Sequence, residues 1–102
     1  MATLVALYKQ PADRAAFDAY YADKHAPIAK TIPGLQSYEV SRGPVTTPAG
    51  PSPYHMVALL GFASLADIQK GLASTEGAAT AGDLANFAQA GVDLLMFDTR
   101  PV

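Results

Sequence analysis

Apolar residues fill both alternating sets of the strand-like segments, and this limits what the chain can fold into. In Ala2 to Tyr8 one set is Leu4, Ala6 and Tyr8, and the other is Thr3, Val5 and Leu7. In Tyr54 to Phe62 the sets are Met56, Ala58 and Leu60 against Val57 and Leu59. An antiparallel sheet with one covered face alternates apolar and polar residues. These segments do not, so both faces of the sheet need a cover. With 102 residues, the chain is expected to form one small domain, 1–102, with too little material to cover both faces itself. A homodimer formed through the sheet is the expected remedy.

The order of elements follows from the punctuation. Asp13, after Pro11, is the expected N-cap of a first helix, in which Phe17, Tyr20, Tyr21, Lys24 and Ile28 recur at helical spacing. Pro33-Gly34 ends it. Leu35 to Arg42 reads as a second strand. Residues 43–53, "GPVTTPAGPSP", hold four prolines and two glycines and read as an aperiodic loop. Tyr54 to Phe62 is a third strand, and Ser64 caps a helix over about Leu65 to Ala73. Ser74 or Thr75 restarts a helix that runs to about Ala90. Gly91 stops it, and Val92 to Phe97 is the fourth strand. The order β-α-β-β-α-β is the ferredoxin-like α+β arrangement, a four-stranded antiparallel sheet with helices on one face. Two such sheets face to face would make a dimeric α/β barrel.

Several function classes drop out. The net charge is −2 and the seven basic residues are scattered, so no stripe exists to neutralise phosphates and no nucleic-acid partner is expected. The chain has no cysteine, which excludes disulfides, thiol catalysis and cysteine-ligated clusters. No apolar run reaches membrane-spanning length, and the N-terminal apolar stretch is cut off at Lys9-Gln10-Pro11, so no membrane partner is expected and a cytoplasmic setting is. The two histidines have no carboxylate at ligand spacing, so no metal and no cofactor are expected.

The chemistry-bearing stretch is "YYADKHAPIAK", residues 20–30. His25 lies one helical turn after Tyr21. Pro27 cannot donate to the Asp23 carbonyl and disfavours the helical conformation at Ala26, so a bend is expected there. Two roles for His25 stay open. It could staple the freed carbonyl, or it could act as an acid/base on a ligand with Tyr21 or Tyr20 assisting, since imidazole titrates near neutrality. Tyr8, Tyr20, Tyr54 and Met56 are the candidate ligand-binding residues. His55, between Tyr54 and Met56, reads as a surface or interface residue, with a cavity-lining role as the alternative. Glu39 and Arg42 read as a solvated pair, and Asp93 as pointing to solvent.

A pattern spans nearly the whole chain: Pro11, Asp13, Phe17, Tyr20-Tyr21, His25-x-Pro27-Ile28, then Pro33-Gly34-Leu35, Tyr38 and Val40, then Ser74-x-Glu76-Gly77 and Asp83-Leu84-x-x-Phe87. It resembles the EthD family, named for ethyl tert-butyl ether degradation. The resemblance implies a dimeric α+β barrel, with relatives among small aromatic-polyketide monooxygenases, cyclases, lactone isomerases and haem-degrading enzymes. Haem binding fits least, since only a histidine is present. The expected activity is binding of a small hydrophobic, aromatic or polyketide-like metabolite. Its turnover would be cofactor-independent oxygenation (an oxidoreductase), cyclisation or isomerisation, with His25 and Tyr21 as catalytic residues. The competing reading is a non-catalytic accessory protein that carries such a metabolite.

Overall fold

The computed structural model describes residues 1–102. Strand β1 (Ala2–Lys9) is central and runs antiparallel to β5 (Tyr54–Phe62) on one side and β6 (Val92–Asp98) on the other. The short β2 (Ser37–Val40) pairs with the far edge of β5, giving the sheet order β2-β5-β1-β6. This is the ferredoxin-like α+β topology. No helix is long and apolar enough to cross a membrane.

One face of the sheet carries Ala2, Leu4, Ala6, Tyr8, Ala58, Leu60 and Phe62, all buried under the helices with Phe17, Tyr21, Ile32, Ile68 and Phe87. The register puts Val5, Leu7, Val57, Leu59, Leu95 and Phe97 together on the opposite face. Nothing in the chain covers that face, and Leu59, Leu95 and Phe97 are each more than two-fifths exposed, at 42%, 53% and 44%. The double apolar pattern of the strands thus has a spatial meaning: one set packs on the chain's own helices and the other is left open.

The helices begin where side-chain oxygens can take up free backbone N–H groups. Asp13 accepts from Ala16 N–H at the start of α1 (Arg14–Tyr20), and Ser64 from Asp67 N–H at α3 (Leu65–Ala73). Ser74 accepts from Gly77 N–H at α4 (Thr75–Phe87). Three local expectations are corrected. The 43–53 stretch is not aperiodic: β3 (Thr46–Thr47) and β4 (Gly50–Pro51) form a small hairpin, closed by Thr47 Oγ1 donating to the Gly50 carbonyl. The second strand is shorter than Leu35 to Arg42. Ala26 also stays helical, at φ −58° and ψ −43°. The proline is accommodated instead by a π-helical turn over Tyr21–His25, before α2 (Ala26–Ala29) resumes the regular helix. Ala26 N–H donates to the Tyr21 carbonyl, one residue further back than in an α-helix. The wider turn moves backbone away from the Pro27 ring, and such single turns recur at functional sites.

Candidate functional site

The π-turn aims Tyr21 and His25 inward, and both are buried, at 4% and 3% exposure. His25 does not staple a helix carbonyl. Its Nδ1 lies 2.9 Å from Oδ2 of Asp83, which reaches over from α4 and is itself 7% exposed. The other carboxylate oxygen, Oδ1, accepts from the Tyr20 hydroxyl at 2.6 Å and from Asn86 Nδ2 at 3.0 Å. Burial pushes the Asp83 carboxyl up, but the donors Tyr20, Asn86 and His25 outweigh it and hold it below the usual carboxylate range. Burial also lowers the His25 pKa, against the pull of Asp83. At neutral pH the pair is therefore an ionised carboxylate and a neutral imidazole.

This settles the tautomer. An ionised carboxylate only accepts, so the hydrogen sits on Nδ1 and the lone pair on Nε2. Nε2 makes no hydrogen bond within the chain, yet no buried side-chain nitrogen or oxygen is sealed without a partner. Nε2 is therefore reachable, and His25 lines an apolar cavity of about 60 Å³ between the sheet and the helices. Tyr8, Tyr21, Tyr38 and Thr80 are its other polar residues, and Leu94, half-exposed on the edge strand β6, forms part of its rim. The Tyr21 and Tyr38 hydroxyls hydrogen-bond each other. Burial raises the pKa of Tyr8, Tyr21 and Tyr38 above the ordinary tyrosine value, so all three stay protonated. Phe87 lies against the His25 ring, with centroids 4.5 Å apart, and limits its rotation. The arrangement has the parts of an acid/base centre: an oriented imidazole, a buried carboxylate behind it, and neutral hydroxyl donors in the same apolar space.

The EthD domain matches residues 9–91. The chain belongs to the EthD family. An "uncharacterized 11.0 kDa protein in thcB-thcC intergenic region" of Rhodococcus erythropolis is 38% identical over 96 residues, covering 94% of this chain and 92% of that protein. The crystal structure of an EthD family protein from Bacillus halodurans superposes with a TM-score of 0.89 at 33% identity, over 98% of this chain and 99% of that one. The cofactor-independent oxygenase SnoaB from Streptomyces nogalater shares the fold at a TM-score of 0.69 and 17% identity, over 99% of this chain and 94% of that one.

In this EthD protein the six residues singled out from the sequence fall into three places. His25, Tyr21 and Tyr8 meet at the apolar cavity. Tyr20 stands behind it, with its hydroxyl committed to Asp83. Tyr54 and Met56 line a separate surface groove of about 560 Å³ between α1 and the β3–β4 hairpin. His55 borders that groove too. Its Nε2 is 2.8 Å from Asp18 Oδ1, and its ring meets Phe17 edge-on. The Tyr54 hydroxyl leans toward the exposed Asp93 at 3.3 Å. Sequence reasoning gave no role to Asp83, although it lies within the EthD pattern. The available signal was a carboxylate in the middle of a helix, one turn before Phe87 on the same face. Tyr38, which also lies within the EthD pattern, pairs with Tyr21.

Proposed function

We propose that this EthD protein is a small enzyme that needs no cofactor and begins its reaction by proton abstraction, with Nε2 of His25 as the base. The observation that carries the reading is the buried His25–Asp83 pair, whose histidine lines an apolar cavity. The ligand is a small apolar metabolite bound beside Tyr8 and Tyr21. Its proton passes to Nε2, and the bonding pair stays on the ligand as an enolate or phenolate. Returning the proton to another carbon gives an isomer; attack of the enolate carbon on a second carbonyl of the ligand, with the proton passing to the alkoxide so formed, gives a ring-closed product. Where dioxygen is the co-reactant, the anion is oxidised and oxygen is reduced. Tyr20 positions Asp83 and does not touch ligand; Tyr54 and Met56 belong to the outer groove.

The test uses naphthols, hydroxyquinones and cyclic 1,3-diketones in air-saturated deuterium oxide buffer, following oxygen uptake and deuterium entry at carbon. His25→Asn should slow the active compound by about 10²- to 10⁴-fold, the usual weight of a general base. The acid limb of the wild-type profile should fall below pH ~6.5, the unperturbed histidine value, because burial lowers the His25 pKa. Equal rates in the two proteins would remove the base from His25. Binding with no turnover in either would favour the carrier.

The working unit in this reading is a homodimer, whose partner sheet covers Val5, Leu7, Val57, Leu59, Leu95 and Phe97. Leu95 pairs with Val5 and is 53% exposed in the single chain. Leu95→Glu should therefore give a folded monomer by light scattering where the wild type is a dimer. A variant that remains dimeric would place the interface elsewhere.

A further inference from the structure

The cavity beside His25 holds more hydrogen-bond donors than the chain uses. Tyr21 and Tyr38 together carry two O–H protons, and their mutual bond uses one. The Tyr8 hydroxyl is a second side-chain partner of Tyr21, so the three hydroxyls form a chain, Tyr8–Tyr21–Tyr38. Tyr8 is only 2% exposed. Three O–H protons serve two links, so one O–H remains uncommitted. Tyr8 and Tyr21 rings sit edge to face, with centroids 5.6 Å apart. All three tyrosines line the same cavity, whose other walls are nearly all apolar. Phenylalanine would pack these positions without leaving donors unspent, and an unspent donor in an apolar space costs about 1–3 kcal/mol. One spare O–H donor and one free lone pair, Nε2 of His25, therefore belong to residues that line a common apolar volume.

We infer that the Tyr8, Tyr21 and Tyr38 hydroxyls form an oxyanion-binding cluster that selects a ligand with an enolisable carbonyl or a phenol oxygen. The inference rests on the proposed function, since it completes the site in which His25 is the base. The chemistry is complementary. The ligand oxygen takes the spare hydrogen bond, which strengthens as His25 removes the proton and the oxygen gains negative charge. Burial keeps the tyrosines protonated, so they remain donors at neutral pH. A dialkyl ether fits this site poorly. Its oxygen accepts a hydrogen bond, but it has no acidic proton for Nε2 and no oxygen that becomes charged on losing one.

The probe is 4-nitrophenol, whose anion and neutral form differ in colour, with 4-nitroanisole as the matching compound that cannot ionise. Wild-type protein and His25→Asn should both bind 4-nitrophenol as its phenolate, with its ionisation midpoint lowered. Tyr8→Phe and Tyr38→Phe should each weaken phenolate binding about 10- to 100-fold, the range for hydrogen bonds to a charged group. They should leave 4-nitroanisole binding unchanged. Loss of turnover in His25→Asn concerns the base alone, so the two ideas fail separately. The inference is overturned if phenolate does not bind, if it binds equally to both Phe variants, or if both ligands are lost together, which would assign the hydroxyls to packing.

Discussion

Asp83→Asn should lower turnover by about 10³- to 10⁴-fold while leaving the fold in place. The carboxylate forces the hydrogen onto Nδ1 of His25 and leaves the lone pair on Nε2, the atom proposed as the base. An asparagine amide can turn its N–H₂ toward Nδ1, which moves the hydrogen to Nε2 and blocks it. Losses near 10⁴-fold are typical when a histidine is locked in the wrong tautomer. The expected stability loss is smaller, about 1–3 kcal/mol. His25 is neutral in the folded protein, so the substitution removes charge-assisted hydrogen bonds and leaves no unpaired buried charge. The pH dependence of wild-type stability has a defined sign. The unfolded chain binds more protons than the folded one wherever a folded pKa is lowered, so stability rises with pH there. The His25 contribution is intact above about pH 6.5 and is lost as pH falls from there through its lowered folded value. The Asp83 contribution is lost at more acid pH, below the ordinary carboxylate value of 3.8. Denaturant unfolding from pH 8 to pH 3 should show both declines in wild type and lose the lower one in Asp83→Asn. A variant with wild-type turnover would separate Asp83 from the chemistry.

Gly77→Ala should be the most destabilising conservative change in the chain. A Cβ at Gly77 would sit 2.1 Å from the Gly71 carbonyl oxygen and 2.7 Å from the Leu72 Cα and carbonyl oxygen. These are backbone atoms of α3, so no side chain can swing aside, and α4 has to move as a unit. Overpacking usually costs 1–3 kcal/mol, and a backbone clash belongs at the top of that range, about 3 kcal/mol or more. For a domain of this size that is a fall of roughly 12–24 °C in Tm. Because α4 carries Asp83, the shift should also pull the carboxylate from His25. Gly82→Ala is the contrast. A Cβ there meets nothing within 4 Å, and the gain in helix propensity should stabilise by about 0.5–1 kcal/mol. Thermal unfolding of both variants decides the matter; Gly77→Ala within 1 kcal/mol of wild type would mean that the α3–α4 contact yields easily.

What could be read in the sequence was what short-range rules govern. β5 and α3 lie within the bounds their patterns predict, and the Asp13, Ser64 and Ser74 caps are where their side chains can bond the next N–H groups. The β3–β4 hairpin was hidden because the four prolines and two glycines of residues 43–53 mask a turn made by Thr47 and a glycine at φ +135°. Ala26 defied the usual effect of a following proline because packing of Tyr21, His25 and Ala29 holds the helix together. For the site, the sequence offered an ionisable ring beside a tyrosine. It could not show whether that ring turns toward its own backbone or toward a carboxylate on another helix, because that depends on how α4 crosses the π-turn.

The His25–Asp83 pair joins residues 58 positions apart, and this has a consequence for synthesis. A ribosome adding about 5–20 residues per second needs roughly 3–12 s to pass from one partner to the other. Throughout that interval His25 has no Asp83 to meet. Only docking of α4 brings the carboxylate to it. A nascent or truncated chain therefore lacks the His25–Asp83 pair, which forms only when the last helix closes over the sheet.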